Sequence, residues 1–229
     1  MPLAQPADER RHRSGAGEWW GETWDFDVVD PHSGLAAFTQ LTVHPRRNTC
    51  WFWTAVIAPD RPYVLCRELD LTVPGDPLEI RGSGLWAHLI CETPLEHWTV
   101  AMEAFALELD PPHEAWAGER GDRVGLAFDL EWESPRSVGD LAVTNDITEY
   151  VVGCEVHGEL QVGDDTFDVD ATGSRSHAWG ELGPSWFAER FAPSSVQGTL
   201  TPWLLEGEGF SPLQLERRLV GSPGAAHWL

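Results

Sequence analysis

The sequence predicts an all-β fold in which antiparallel strands close into barrels. Three observations carry the prediction. Turn signals built on Pro, Gly and Asp recur at intervals of roughly eight to fifteen residues, with short strand-like runs between them, the rhythm of a sandwich or barrel. Residues 124–133 alternate strictly, with Val124, Leu126, Phe128, Leu130 and Trp132 set against Gly125, Ala127, Asp129, Glu131 and Glu133. That is the period of a strand with one buried and one wet face. No long segment repeats its apolar residues at helical spacing.

The elements follow in order. Residues 23–29 form a first strand ended by Asp30 and Pro31, and residues 35–43 a second ended by His44 and Pro45. Residues 49–58 form a third that is apolar on both faces, so both sides should meet something dry, and residues 62–71 a fourth. A short strand at 78–81 precedes a hairpin of 85–92 with 98–109 around Thr93, Pro94, Leu95 and Glu96. Pro111 and Pro112 then break the chain, and residues 111–122 read as a linker. The alternating strand at 124–133 follows, then a loop at 134–145. A long strand at 148–162 pairs back with 166–172 across Gly163, Asp164 and Asp165. Beyond Gly180 the pattern degrades, leaving a short helix at 185–191 and two last strands at 199–206 and 213–220 as expectations. An up-and-down barrel uses eight strands. Roughly eleven or twelve are too many for one barrel and too few for two. The expected organisation is a mobile tail at 1–17, a first barrel or half-barrel at 18–110, the linker, and a second, shortened unit at 123–229.

Charge narrows the function classes. The chain carries 37 acidic against 15 basic residues, a net charge of −22. Such a surface repels phosphate backbones and anionic headgroups, so neither nucleic acid nor a membrane surface is the expected partner. No stretch reaches the roughly 20 apolar residues that span a bilayer, and Arg10, Arg11 and Arg13 are followed by no apolar leader segment. Cys50, Cys66, Cys91 and Cys154 lack metal-ligand spacing and read as reduced thiols of a cytoplasmic protein. His32, His44, His88, His97, His113 and His157 show no metal spacing, and nothing in the sequence points to a held cofactor. His157 alternates with Glu155 and Glu159 on one strand face, which reads as a solvated face before it reads as a metal site.

Thirteen tryptophans are the unusual count, and several fall in strands where alternate residues face inward. Large aromatics either fill a core or line a pocket, and Trp24, Trp53 and Trp132 are the candidates for lining.

Two stretches carry a family resemblance: Ser174-Arg175-Ser176-His177-Ala178-Trp179-Gly180, just after an alternating hairpin, and the Trp24-Asp25-Phe26 strand followed by Asp30, Pro31 and Gly34. The strand, Pro-Leu turn and Trp-containing strand of residues 85–109 add to them. Together they resemble the double-barrel lipocalin-like (calycin) proteins related to carotenoid 1,2-hydratase and the AttH family, including its bacterial branches, over about residues 18–187. The Gly17-Glu18-Trp19 tripeptide is a minor echo of a lipocalin Gly-x-Trp. Family members continue with several more strands after this motif, whereas residues 181–229 here are poorly patterned, so the second unit is expected to be trimmed or rebuilt.

The resemblance implies chemistry on a carbon–carbon double bond. Hydration needs an acid to protonate the alkene, an aromatic face to stabilise the cation, and a base for the attacking water. By resemblance His177 and Trp179 would carry this, two apart and pointing the same way on a strand, with Arg175 on the same face to orient a carboxylate or bind an anionic or carbonyl group. The acidic partner would be Glu206 or Glu208, with Asp25 as another candidate. Equally, Arg175, His177 and Trp179 could form a plug that closes the barrel. Three functions stand open: binding of a small apolar ligand such as an isoprenoid, polyketide or steroid-like molecule, a hydratase or cyclase acting on such a ligand through His177, and a non-catalytic remnant with a structural role.

Overall fold

The computed structural model of the chain describes residues 2–30, 32–58, 60–109, 121–134, 139–183 and 186. The described residues are almost entirely β, with eleven strands: β1 (Trp20–Asp30), β2 (Leu35–His44), β3 (Thr49–Ile57), β4 (Tyr63–Leu71), β5 (Leu78–Gly82), β6 (Leu85–Thr93), β7 (His97–Leu109), β8 (Asp122–Glu133), β9 (Ala142–Thr144), β10 (Ile147–Val162) and β11 (Asp165–Glu181). No described helix is long and apolar enough to cross a membrane.

The strands form one sheet that closes on itself. Its order is β4-β3-β2-β1-β11-β10-β8-β7, and β4 pairs again with β7, which completes a ring of eight strands. The closing seam is short, running from Tyr63 opposite Leu109 to Leu65 opposite Leu107. Arg61 clamps it from outside the ladder, with Nη1 2.8 Å from Glu108 Oε1 and Nε 2.8 Å from Asp165 Oδ2. Beyond the seam the β5–β6 hairpin pairs on the free edge of β7. The unit division expected from sequence falls inside this sheet. Residues 110–120 lie outside the described residues, and the strands that flank them, β7 and β8, pair directly from His97 opposite Glu133 to Glu108 opposite Asp122.

Alternation explains the core. On β8, Leu126, Phe128, Leu130 and Trp132 are buried while Asp129, Glu131 and Glu133 are exposed. β10 does the same with Tyr150, Val152, Cys154 and Val156 inward. β1, β2 and most of β3 are buried on both faces, as the doubly apolar third strand predicts. The four cysteines are unpaired thiols, and burial pushes Cys50 and Cys66 up to about 12. The main departure in strand length is β11, which runs on through Ser174–Gly180 to Glu181 because each of those residues finds a partner on β1. The expected helix at 185–191, Trp186 apart, and the expected strands at 199–206 and 213–220 lie outside the described residues.

Residues 2–17, expected as a mobile tail, are seated across one end of the ring. Leu3 bridges to Asp140, and Ala4 N–H donates to the Gly139 carbonyl at 3.0 Å. Pro6 opens a 3-10 turn over Pro6–Glu9, its fixed φ suiting the first helical position. Asp8 locks that turn by accepting from the Gln5 N–H at 2.7 Å. Further along, Arg11 Nη1 reaches the Pro74 carbonyl at 2.8 Å. We call this segment the strap.

The Trp132 indole, packed against Phe26, donates to the Asp27 carbonyl at 2.8 Å. Gly173 lies beside that oxygen, where a Cβ would overlap it. Trp132→Phe should therefore cost about 1–3 kcal/mol in urea denaturation, through the orphaned carbonyl and the lost volume. The Asp27 side chain is itself buried. Burial pushes its carboxyl up to about 7, Asp25 adding to the shift, even though Ser174 donates to it through N–H at 2.6 Å and Oγ–H at 2.8 Å. The native state then keeps a proton that the unfolded chain has already lost, so this group's contribution to stability falls as pH rises from about 4 to about 7. Asp27→Asn should flatten that part of the decline, measured as urea midpoints of both proteins from pH 5 to pH 8.

Candidate functional site

The pairing of β1 and β10 with β11 builds the site. Cross-strand rows place Glu22, Trp179 and Thr148 together, then Trp24, His177 and Tyr150, then Phe26, Arg175 and Val152. Residues two apart on each strand share a face, so Glu22, Trp24 and Phe26 meet Arg175, His177 and Trp179 inside the ring. The strap covers this grid.

His177 is enclosed, 1% exposed. The Trp24 ring stacks on it at 4.6 Å, Trp179 lies tilted at 5.1 Å and the Tyr150 ring edge at 5.9 Å. Its Nδ1 is 2.8 Å from the Asp8 carbonyl, which only accepts, so Nδ1 carries the proton. Its Nε2 points to the Glu22 carboxylate at 3.3 Å without making an aligned hydrogen bond. His12, from the strap, stacks on Trp179 at 3.8 Å and contacts the same Glu22 oxygen at 3.1 Å through Nδ1 and at 2.9 Å through its backbone N–H. Burial pushes the Glu22 carboxyl up, but the two imidazoles more than offset this and hold it below its ordinary value.

Arg175 is buried beside this cluster and binds Glu9 of the strap at 2.8 Å through Nη1. Glu9 also accepts from Trp98 Nε1 at 2.7 Å and from the Leu95 N–H at 3.1 Å, so one strap carboxylate is satisfied from three elements. Burial disfavours the Arg175 charge, yet Glu9, with Tyr150 and Cys154 adding to it, more than offsets this and the guanidinium stands above its ordinary pKa. Several buried donors stay unused: Trp24 Nε1, Arg175 Nε and Nη2, and the Tyr150 hydroxyl, which lies near Glu9 and Arg175 without an aligned hydrogen bond.

The structure thus brings together four of the expected residues, His177, Trp179, Arg175 and Trp24. Trp132 is core, next to Phe26. Trp53 pairs with Gln40, which pairs with Asp25, so it lies on the face opposite Trp24 and packs on Phe38. Asp25 shares that other face and accepts from Ser176 Oγ at 3.1 Å. Glu206 and Glu208 lie outside the described residues. The carboxylate beside His177 is Glu22. The sequence signal for it was alternation, since Glu22 sits two before Trp24 on a strand whose neighbours are buried. His12 and Glu9 had no such signal, because the strap is aperiodic. His157 forms an exposed pair with Asp170. Two open surface pockets, of about 470 and 650 Å³, are lined by residues such as Arg46 and Arg47, or Arg61, Glu108 and Asp165, and neither reaches the aromatic cluster.

Residues 5–183 match the sequence family DUF7064, a domain of unknown function. The chain belongs to the DUF7064 family. The DUF7064 match takes in the strap from residue 5 as well as every strand of the ring, so Glu9, His12, Glu22 and His177 all fall inside the domain. No curated protein sequence matches the chain.

The Glu9–Arg175 pair generates a prediction. Removing one partner leaves a buried charge uncompensated, so Glu9→Ala should cost about 3–5 kcal/mol, whereas pairing it with Arg175→Met should recover much of that. Urea denaturation of the four proteins of the cycle measures the coupling. Glu9→Ala should also expose Arg10, Arg11 and Arg13 to trypsin.

Proposed function

We propose that this protein binds a small apolar ligand carrying an oxygen-bearing head group, with the head held at the Trp24, His177, Tyr150 and Arg175 cluster and the strap closing over it. One observation carries the reading: Trp24, Tyr150 and Arg175, each with an unused buried donor, stand on three neighbouring strands in the row of His177 or the row beside it. A buried donor without an acceptor costs about 1–3 kcal/mol, so several at one place are a standing invitation to a carbonyl, hydroxyl or carboxylate oxygen. The indole faces of Trp24 and Trp179 supply the apolar lining. Glu9 is the internal counterpart of such a head, a carboxylate already held by Arg175, Trp98 and the Leu95 N–H, and a ligand acid would compete with it for Arg175.

Two other readings have an observation each. Hydration or cyclisation at a carbon–carbon double bond draws on Glu22, the carboxylate that such chemistry needs beside His177. A purely structural role draws on the packed interior, where Trp24, Trp98 and Trp132 are all buried.

The test is titration of intrinsic tryptophan fluorescence with a matched isoprenoid series of acid, alcohol and hydrocarbon, supported by native mass spectrometry. The ligand reading expects saturable binding of the acid and alcohol, weaker binding of the hydrocarbon, and about fivefold loss of affinity in Trp24→Phe, the equivalent of one hydrogen bond. No saturable binding by any of the three, with only water occupying the cluster, would overturn it in favour of the structural role. Appearance of a hydrated or cyclised product would move the assignment to the enzyme reading.

A further inference from the structure

We infer that His12, Glu22 and His177 form a binding site for a divalent transition-metal ion of the zinc type, which pins the strap to the barrel. The inference goes beyond the ligand reading and does not depend on it.

The three residues each offer one donor atom, and these atoms lie within 4.8 Å of one another. His12 Nδ1 lies 3.1 Å from Glu22 Oε2, and His177 Nε2 lies 3.3 Å from the same oxygen. Zinc–nitrogen and zinc–oxygen bonds of about 2.0–2.2 Å set ligand–ligand separations of roughly 3.3 Å in a tetrahedron, so the spacing needs little adjustment. Two imidazoles and one carboxylate leave a fourth position for water or an exogenous oxygen, and the set suits zinc, iron(II) or cobalt(II) over magnesium or calcium.

The His177 Nδ1 proton is committed to the Asp8 carbonyl, the arrangement that orients a metal-ligating histidine and leaves Nε2 as the donor atom. Nε2 and Glu22 Oε1 are then buried and have no hydrogen-bond partner, on side chains 1% and 0% exposed. A cation held between Nε2 and the Glu22 carboxylate would give that unpartnered nitrogen a partner and sit against the carboxylate's negative charge. Trp24 and Trp179 hold the two rings in place by stacking. The charge opposing an ion is Arg11, with Nε 3.9 Å from Glu22 Oε1, while Arg175 is already paired with Glu9. Arg11 is part-exposed and anchored on the Pro74 carbonyl, so it can turn outward.

His12 comes from the strap and the other two ligands from β1 and β11, so the ion ties three parts of the chain. The experiment uses the full-length protein, stripped with chelator, and the metal alone as probe. Titration with Co²⁺ should give visible d–d bands of tetrahedral intensity at one equivalent. Zn²⁺ should displace them, raise the melting temperature and slow tryptic cleavage at Arg10, Arg11 and Arg13, while Mg²⁺ does none of these. His12→Ala, a strap variant that leaves the barrel core intact, should abolish the bands and weaken Zn²⁺ binding at least tenfold. His177→Asn should do the same, and the surface variant His157→Ala should change nothing. Absence of one-equivalent binding at tens of micromolar metal, or binding that survives unchanged in both His12→Ala and His177→Asn, would overturn the inference. Because no apolar ligand is present, either result leaves the ligand reading to stand or fall on its own titration.

Discussion

The pairing of the first strand with the last is the constraint on which the site depends. β1 and β11 run antiparallel from Trp20 opposite Glu181 to Val29 opposite Thr172, joining segments about as far apart as the described chain allows. The side-chain period of a strand is two, so a slip of one residue would turn Glu22, Trp24 and Phe26 away from His177 and put Thr23, Asp25 and Asp27 there instead. The register is held from both faces. Inside, Trp24 stacks on His177; outside, Ser174 and Ser176 bond to Asp27 and Asp25. Either slip would strand buried carboxylates without their hydroxyl partners, a cost large enough to specify a single pairing.

The second feature is the concentration of buried charge at one end of the ring. Glu9, Glu22, Arg175 and His177 are all buried there, while the opposite end is held by the part-exposed Arg61 and Glu108 and the exposed Asp165. Replacing a buried ion pair by apolar residues is often neutral or stabilising, so such a cluster is poorly explained by stability alone. What the cluster does provide is attachment for the strap, since Asp8, Glu9, Arg11 and His12 each contact a different part of the rim or interior. Three of the residues that hold the strap, Glu22, Arg175 and His177, also carry buried polar atoms without a hydrogen-bond partner.

The aromatic residues divide accordingly. Trp98 and Trp132 use their indole N–H groups on Glu9 and the Asp27 carbonyl, so they hold other parts of the structure in place as well as filling space. Trp24 and Trp179 instead offer ring faces to the imidazoles of His177 and His12. Trp53, apolar and strand-borne like the others, sits on the opposite face of the sheet because parity along β3 puts Phe52 inward.

Local pattern determined the strands. Period-two alternation, β-branched and aromatic runs, and Pro, Gly and Asp at the turns placed nearly every element from β1 to β10 within a few residues, because those signals act between near neighbours in the chain. The same parity put Arg175, His177 and Trp179 on one face. Tertiary structure decided the rest. Closure of one eight-strand ring depends on β4 meeting β7, and the length of β11 depends on β1 as its partner, and neither is visible in the segments taken singly. The strap has no periodicity to read, since its order comes from carboxylate, imidazole and guanidinium contacts with residues up to 169 positions away. Glu22 falls just outside the strand read from sequence at 23–29; its place beside His177 follows from the β1–β11 register, which long-range pairing sets.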